Sequence, residues 1–268
     1  MDDLALMLQV LILLSSLAVW GMILERLSTG EPLFSRLVPV TRPRPMLAIL
    51  VTLAWIAVSC LSQLLPLSEP EIGRKFNEHQ ALYLLAFNLL IQIITTCVLL
   101  VCLTRLGSQR LTRFGIDSRQ PEVAIGAGLL GYLTAVIPVI AMNVAMTSFR
   151  TEDNQHLFLQ ILDSQQSGLL VALMIGSAVI MAPIEEELMY RVILQGTLQR
   201  DLPPTASILI SATLFSAVHG FPDMVGLFPL ALVLGFLYWR TGSYLTIVTT
   251  HAAFNGVTVI LTLMSPQG

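Results

Sequence analysis

The chain has 268 residues, of which 55% are hydrophobic and only 12% are charged. Soluble domains are typically about 45–50% apolar and about 25% charged, so this composition excludes a water-soluble fold and a disordered chain. The net charge of −3 gives no basic field, so we expect a lipid bilayer as partner and no nucleic acid.

Apolar segments long enough to cross a bilayer, about 20 residues each, recur along the chain. In chain order they fall near 4–24, 46–67, 81–104, 123–149 and 164–184 (continuing as helix to about 199), and three further segments follow near 204–219, 224–239 and 243–264. The sixth and seventh are the shortest. Irregular backbone cannot face lipid, so we predict an all-α fold, a polytopic transmembrane helical bundle of about eight spans.

Arginines are concentrated in two loops and at two span ends. They are Arg26, Arg36, Arg42 and Arg44 in loop 25–45, Arg105, Arg110, Arg113 and Arg119 in loop 105–122, and Arg200 and Arg240. Because basic loops usually face the cytosol, we expect both loops inside and both termini on the far side. A single lysine among 14 basic residues is typical of GC-rich bacterial genomes, so we expect an integral protein of a bacterial inner membrane.

Ionisable side chains inside a span are energetically costly and usually functional. Here they cluster in the last third of the chain, as Glu185, Glu186, Glu187 and Arg191, then Phe215 with His219, then His251 with Asn255. Apolar residues continue for two turns beyond the carboxylates, which argues against an ordinary interfacial helix end.

The spacing of the acidic residues suggests separate roles for two of them. Residues four apart share a helix face, so Glu187 can pair with Arg191. Glu186, about 100° further round the helix axis, then stays free to act as a general base. The spacing gives no role to Glu185.

The histidines allow two kinds of chemistry. His251 and Asn255 lie four apart on one face and could donate hydrogen bonds to a developing oxyanion. Glu186 and His219 could instead polarise a water for attack. Phe215, one turn before His219, either packs in the core or supports that imidazole ring.

The three elements EExxxR (186–191), FxxxH (215–219) and HxxxN (251–255) together resemble the signature of the CPBP family, also called Abi, of CAAX proteases and bacteriocin-processing proteins. The resemblance covers about residues 168–260 and implies an intramembrane endopeptidase with a CAAX-protease-like fold. It implies that Glu186 activates water with assistance from His219, that His251 and Asn255 form an oxyanion site, and that Glu187 and Arg191 hold the helix geometry. Accordingly, residues 1–163 are expected to form variable N-terminal transmembrane helices and residues 164–268 the catalytic core.

The implied reaction is hydrolysis of peptide bonds in membrane-associated or prenyl-like substrates, which are peptides or proteins that can carry a lipid, at a site open to the cytosolic side. The alternative is a non-enzymatic immunity or scaffold protein of the same family. A proton-coupled transporter would be expected to have paired halves, and the sequence has no internal repeat.

No metal or other cofactor is expected. The zinc-protease motif H-E-x-x-H is absent. The residue four positions after His251 is Asn255, a poor zinc ligand, and Glu187 is expected to be occupied by Arg191. No predicted span holds an aspartate, and no G-x-S-x-G-like serine is present, so aspartyl and serine mechanisms are not favoured.

Overall fold

A computed structural model describes residues 2–38, 50–52, 55, 78–105, 111–116, 120–150 and 167–264, and this part of the chain is helical with short turns and no strand. Seven helices are named here in chain order: α1 Asp2–Thr29, α2 Glu78–Arg105, α3 Pro121–Ala145, α4 Gly168–Leu198, α5 Pro204–Ala217, α6 Asp223–Thr241 and α7 Tyr244–Met264. Short 3-10 helices occur at Leu111–Phe114 and Thr147–Phe149.

The predicted polytopic helical bundle is confirmed. Six of these helices, all except α5, are long and apolar enough to cross a membrane. Helix α5 has 14 residues. At about 1.5 Å per residue it rises about 21 Å, less than the roughly 30 Å hydrocarbon core.

Several predicted limits differ from those of the structure. The helix predicted over 123–149 ends at Ala145, because Thr147–Phe149 tightens into a 3-10 turn. The span predicted at 46–67 lies outside the described residues, apart from 50–52 and 55. The predicted domain boundary between 163 and 164 also lies outside them.

Helices α3 and α7 approach closely through small residues. A Cβ atom on Gly128 would come within 2.7 Å of the Thr246 carbonyl oxygen, and one on Gly131 within 2.7 Å of the Thr250 hydroxyl. The Thr250 hydroxyl donates to the Gly128 carbonyl oxygen at 2.8 Å. Glycines let helices pack backbone to backbone in a membrane, and here this contact fixes the helix that carries His251.

Helix α4 is irregular where its charged residues lie. It is π-helical over Ile175–Met181 and Leu188–Gln195, and these segments flank the α-helical stretch Ala182–Glu187. π-Helical turns are rare and are found frequently at functional sites. The Tyr244 hydroxyl of α7 donates to the Ile184 carbonyl oxygen within this stretch, which ties the start of α7 to α4.

The segment after α1 docks on the end of α6. The backbone N–H groups of Leu37 and Val38 both donate to the Thr241 carbonyl oxygen, at 2.8 and 3.0 Å. The Arg240 guanidinium donates to the Phe34 carbonyl oxygen at 2.7 Å. The loop following α1 and the turn between α6 and α7 therefore lie at one end of the bundle.

The described part of the loop between α2 and α3 reaches the same end. The Tyr244 backbone N–H donates to the Gly115 carbonyl oxygen at 3.0 Å. Gly115 and Gly242 both have positive φ, and a Cβ atom on Gly115 would overlap the Gly242 carbonyl oxygen. Only glycine at position 115 permits this close approach. Together with the bonds from Leu37 and Val38, the Tyr244 bond brings both arginine-bearing loops to the turn between α6 and α7.

Candidate active site

Two adjacent carboxylates lie at the centre of the site. Glu186 and Glu187 end the α-helical stretch of α4 between its two π-helical segments. The Glu187 side chain is fully buried, whereas the Glu186 side chain is 25% exposed. These neighbours therefore have different environments, and only Glu186 can reach a water or a substrate.

Glu187 joins two cationic or cation-forming side chains. Its Oε1 lies 2.8 Å from Nδ1 of His251, and its Oε2 lies 3.4 Å from Nε of Arg191. A carboxylate oxygen accepts, so the Nδ1–H group of His251 donates to it. This bond orients the imidazole so that Nε2 faces Glu186, at 3.8 Å from Oε2.

Arg191 is fully buried and has contacts on three sides. Besides its contact with Glu187, it donates from Nη2 to the Ala231 carbonyl oxygen of α6 at 3.1 Å. Its Cζ atom lies 4.5 Å from the ring centroid of Phe215, a cation–π geometry. The pair that i,i+4 spacing suggests is therefore part of a network linking α4, α5 and α6.

The ring of Phe215 contacts both histidines. Its centroid lies 5.0 Å from that of His219 and 5.6 Å from that of His251. Nδ1 of His219 lies 2.9 Å from the Phe215 carbonyl oxygen. Because a carbonyl only accepts, Nδ1 carries the proton and Nε2 remains available. Phe215 is thus both buried core and a support for two imidazoles.

Asn255 is held against α4. It lies one turn beyond His251 on α7, and its Nδ2 donates to the Ala178 carbonyl oxygen at 2.7 Å. A carboxamide nitrogen has two protons, so this bond leaves one N–H for another acceptor. The structure thus groups Glu186, Glu187, Arg191, Phe215 and His251, with His219 held against Phe215 and Asn255 against α4.

Sequence patterns do not indicate two further contributors, Trp55 and Tyr190, and they give no role to Glu185. The Trp55 indole nitrogen donates to Oε1 of Glu185 at 2.8 Å. The Trp55 ring also lies edge-on to Tyr190, with centroids 5.7 Å apart. Trp55 and Glu185 are 130 positions apart. No local spacing could have revealed this contact.

A metal ion could be held here only by several donor side chains that point at it together. Structural and catalytic zinc sites use at least three His, Cys, Asp or Glu ligands converging on one point. Over the described ranges, no group of three or more such side chains is arranged to hold a metal ion.

The site falls within a segment that matches a known family. Residues 168–257 match the model described as "Type II CAAX prenyl endopeptidase Rce1-like". Residues 168–257 are therefore similar to an Rce1-like domain. The Rce1-like domain runs from the start of α4 into α7 and contains every site residue predicted from the motifs. The match confirms the resemblance to the CPBP family.

No curated protein and no solved structure matches the chain. The match to the Rce1-like model supports the assignment of a membrane protease with a peptide substrate. The six apolar helices support its integration into a lipid bilayer.

Proposed function

We propose that this chain is an intramembrane endopeptidase in which Glu186 activates a water molecule for attack on a peptide bond. The observation that carries the proposal is the difference between the two neighbouring carboxylates. Glu187 is fully buried and committed to His251 and Arg191, while Glu186 is partly exposed and faces His251 Nε2 at 3.8 Å. A general base needs this access to water at hydrogen-bonding distance.

In the first step Glu186 takes a proton from water as the water oxygen attacks the carbonyl carbon of the scissile bond. His219 assists by accepting a hydrogen bond from the same water at Nε2. The bond from its Nδ1 to the Phe215 carbonyl oxygen supports this role, because it leaves Nε2 unprotonated in a neutral imidazole.

The negative charge that develops on the substrate oxygen needs nearby donors. We assign them to the second N–H of Asn255 and to His251, which donates from Nε2 when both of its nitrogens are protonated. Glu187 then balances the charge of the imidazolium. The tetrahedral intermediate collapses with cleavage of the C–N bond, and Glu186 returns its proton to the leaving amine.

The proposed substrates are membrane-associated peptides, including prenylated ones, because the family description names a prenyl endopeptidase. The test is incubation of purified protein in liposomes with a prenylated CAAX peptide, with mass spectrometry of the products. We expect a new carboxyl terminus inside the CAAX sequence. A folded wild-type protein that leaves both prenylated and unprenylated peptides intact would favour the non-enzymatic alternative.

We further propose that the site opens toward the cytosol and that the membrane is a bacterial inner membrane. Arg36 lies at the bundle end where the arginine-bearing loops meet, and its side chain is exposed. In a cysteine-free background, Arg36→Cys should react with a membrane-impermeant maleimide only after the cells are opened. Labelling in intact cells would reverse the proposed orientation.

Metal independence is also part of the proposal. A carboxylate base with His and Asn donors assigns a role to each motif residue without a metal ion. We expect the rate to be unchanged after treatment with EDTA or phenanthroline. Loss of activity on chelation, restored by stoichiometric zinc, would contradict the metal-free mechanism and leave the protease assignment standing.

A further inference from the structure

Glu185 is a third carboxylate that the proposed mechanism does not use. It precedes the Glu186–Glu187 dyad on α4, and only 8% of its surface is exposed. In contrast to Glu187, it contacts no arginine within the described ranges, since Arg191 Nε lies against Glu187. A carboxylate is costly to bury, so its place beside the dyad needs an explanation.

The group that contacts Glu185 is the indole of Trp55. The distance from its Nε1 to Oε1 of Glu185 is 2.8 Å. An indole N–H can only donate, so the glutamate oxygen is the acceptor whatever its protonation state. A neutral acceptor of the same shape can therefore keep the bond.

Trp55 also contacts the other flank of the dyad. Its ring lies 5.7 Å from that of Tyr190 in an edge-on arrangement. Tyr190 in turn lies 5.2 Å from Phe215, the ring that supports both imidazoles. One side chain from outside the Rce1-like domain therefore touches the residues on both sides of Glu186 and Glu187.

We propose that Glu185 and Trp55 are positioning residues that fix the rotation of α4 about its axis and so hold Glu186 in reach of His251. This inference rests on the proposed function. The α-helical stretch carrying the dyad has only six residues and lies between two π-helical segments. The bond from Trp55 anchors it from outside the helix. Misplacement of a reacting group by about 1 Å can cost about 10²-fold in rate, so this anchor affects turnover.

The experiment compares variants that keep or remove the bond. Glu185→Gln keeps the acceptor oxygen and should retain kcat within about threefold. Glu185→Leu removes the acceptor of the bond and Trp55→Phe removes its donor. Each variant should lower kcat at least about 10-fold with little change in KM. The double variant should be no worse than either single variant, because both changes remove the same interaction.

Trp20→Phe is the matched control. The Trp20 indole also donates to a partner, the Thr134 carbonyl oxygen at 3.2 Å, but this bond joins α1 to α3. We expect the control to keep full kcat. Equal losses in Glu185→Gln and Glu185→Leu, full kcat in Glu185→Leu or Trp55→Phe, or an equal loss in Trp20→Phe would each overturn the proposal.

A second readout does not need activity. The chain has three tryptophans, so its indole N–H resonances can be resolved by NMR in detergent. The Trp55 resonance should shift in Glu185→Leu and move little in Glu185→Gln. If Glu186→Gln remained active while the Trp55 resonance shifted as expected, Glu186 would not be the general base, but the bond between Trp55 and Glu185 would stand. An unchanged Trp55 resonance in Glu185→Leu would overturn the bond itself.

Discussion

Glu186→Gln is expected to lower kcat by at least about 10²-fold, the usual contribution of a general base. The amide retains the size and hydrogen-bonding shape of the side chain but cannot take a proton from water. Glu186 is only partly buried, so the change should leave the thermal unfolding midpoint close to that of the wild type. The measurement is steady-state cleavage of a prenylated CAAX peptide by protein in liposomes.

Glu122→Gln is the matched control for that loss. Glu122 is exposed in the first turn of α3, so the same chemical change there should leave kcat unaltered. If Glu186→Gln retained more than about a tenth of the wild-type kcat, Glu186 would not be the general base.

Arg191→Met is expected to cost about 3–5 kcal/mol in the free energy of unfolding. The methionine fills similar space, but it removes the guanidinium that lies against Oε2 of the fully buried Glu187 carboxylate. It also removes the cation–π contact with Phe215 and the bond to the Ala231 carbonyl oxygen. The measurement is equilibrium unfolding of the purified protein in detergent.

Two further variants separate loss of charge compensation from loss of packing. The double variant Glu187→Gln with Arg191→Met removes both charges and should recover much of the loss. Arg150→Met breaks the more exposed pair with Asp223, whose atoms lie 2.8 Å apart, and should cost at most about 1 kcal/mol. Equal stability of Arg191→Met and the wild type would contradict the proposed role of the buried pair.

The helices and part of the site could be predicted because they depend on local sequence. Hydropathy over about 20 residues indicates where a membrane span lies. The spans predicted at 81–104 and 243–264 agree closely with helices α2 and α7. The contact of Glu187 with Arg191 follows from helical spacing alone. The three motifs likewise fall within the matched domain.

The remaining features depend on contacts between distant parts of the chain. His251 and Glu187 are 64 positions apart, so their bond gives no local signal. The same holds for Asn255 and the Ala178 carbonyl oxygen, because a backbone acceptor carries no mark in the sequence. The π-helical segments of α4 were also not predicted, because no residue pattern separates them from an α-helix.

The central claim is that the chain hydrolyses peptide bonds in the membrane through Glu186. The most direct measurement compares carboxyl termini across the membrane proteome of cells that carry the wild type or Glu186→Gln, with equal amounts of both proteins. We predict a set of membrane-protein carboxyl termini that is present with the wild type and absent with Glu186→Gln. Identical sets of termini in the two strains would contradict the claim.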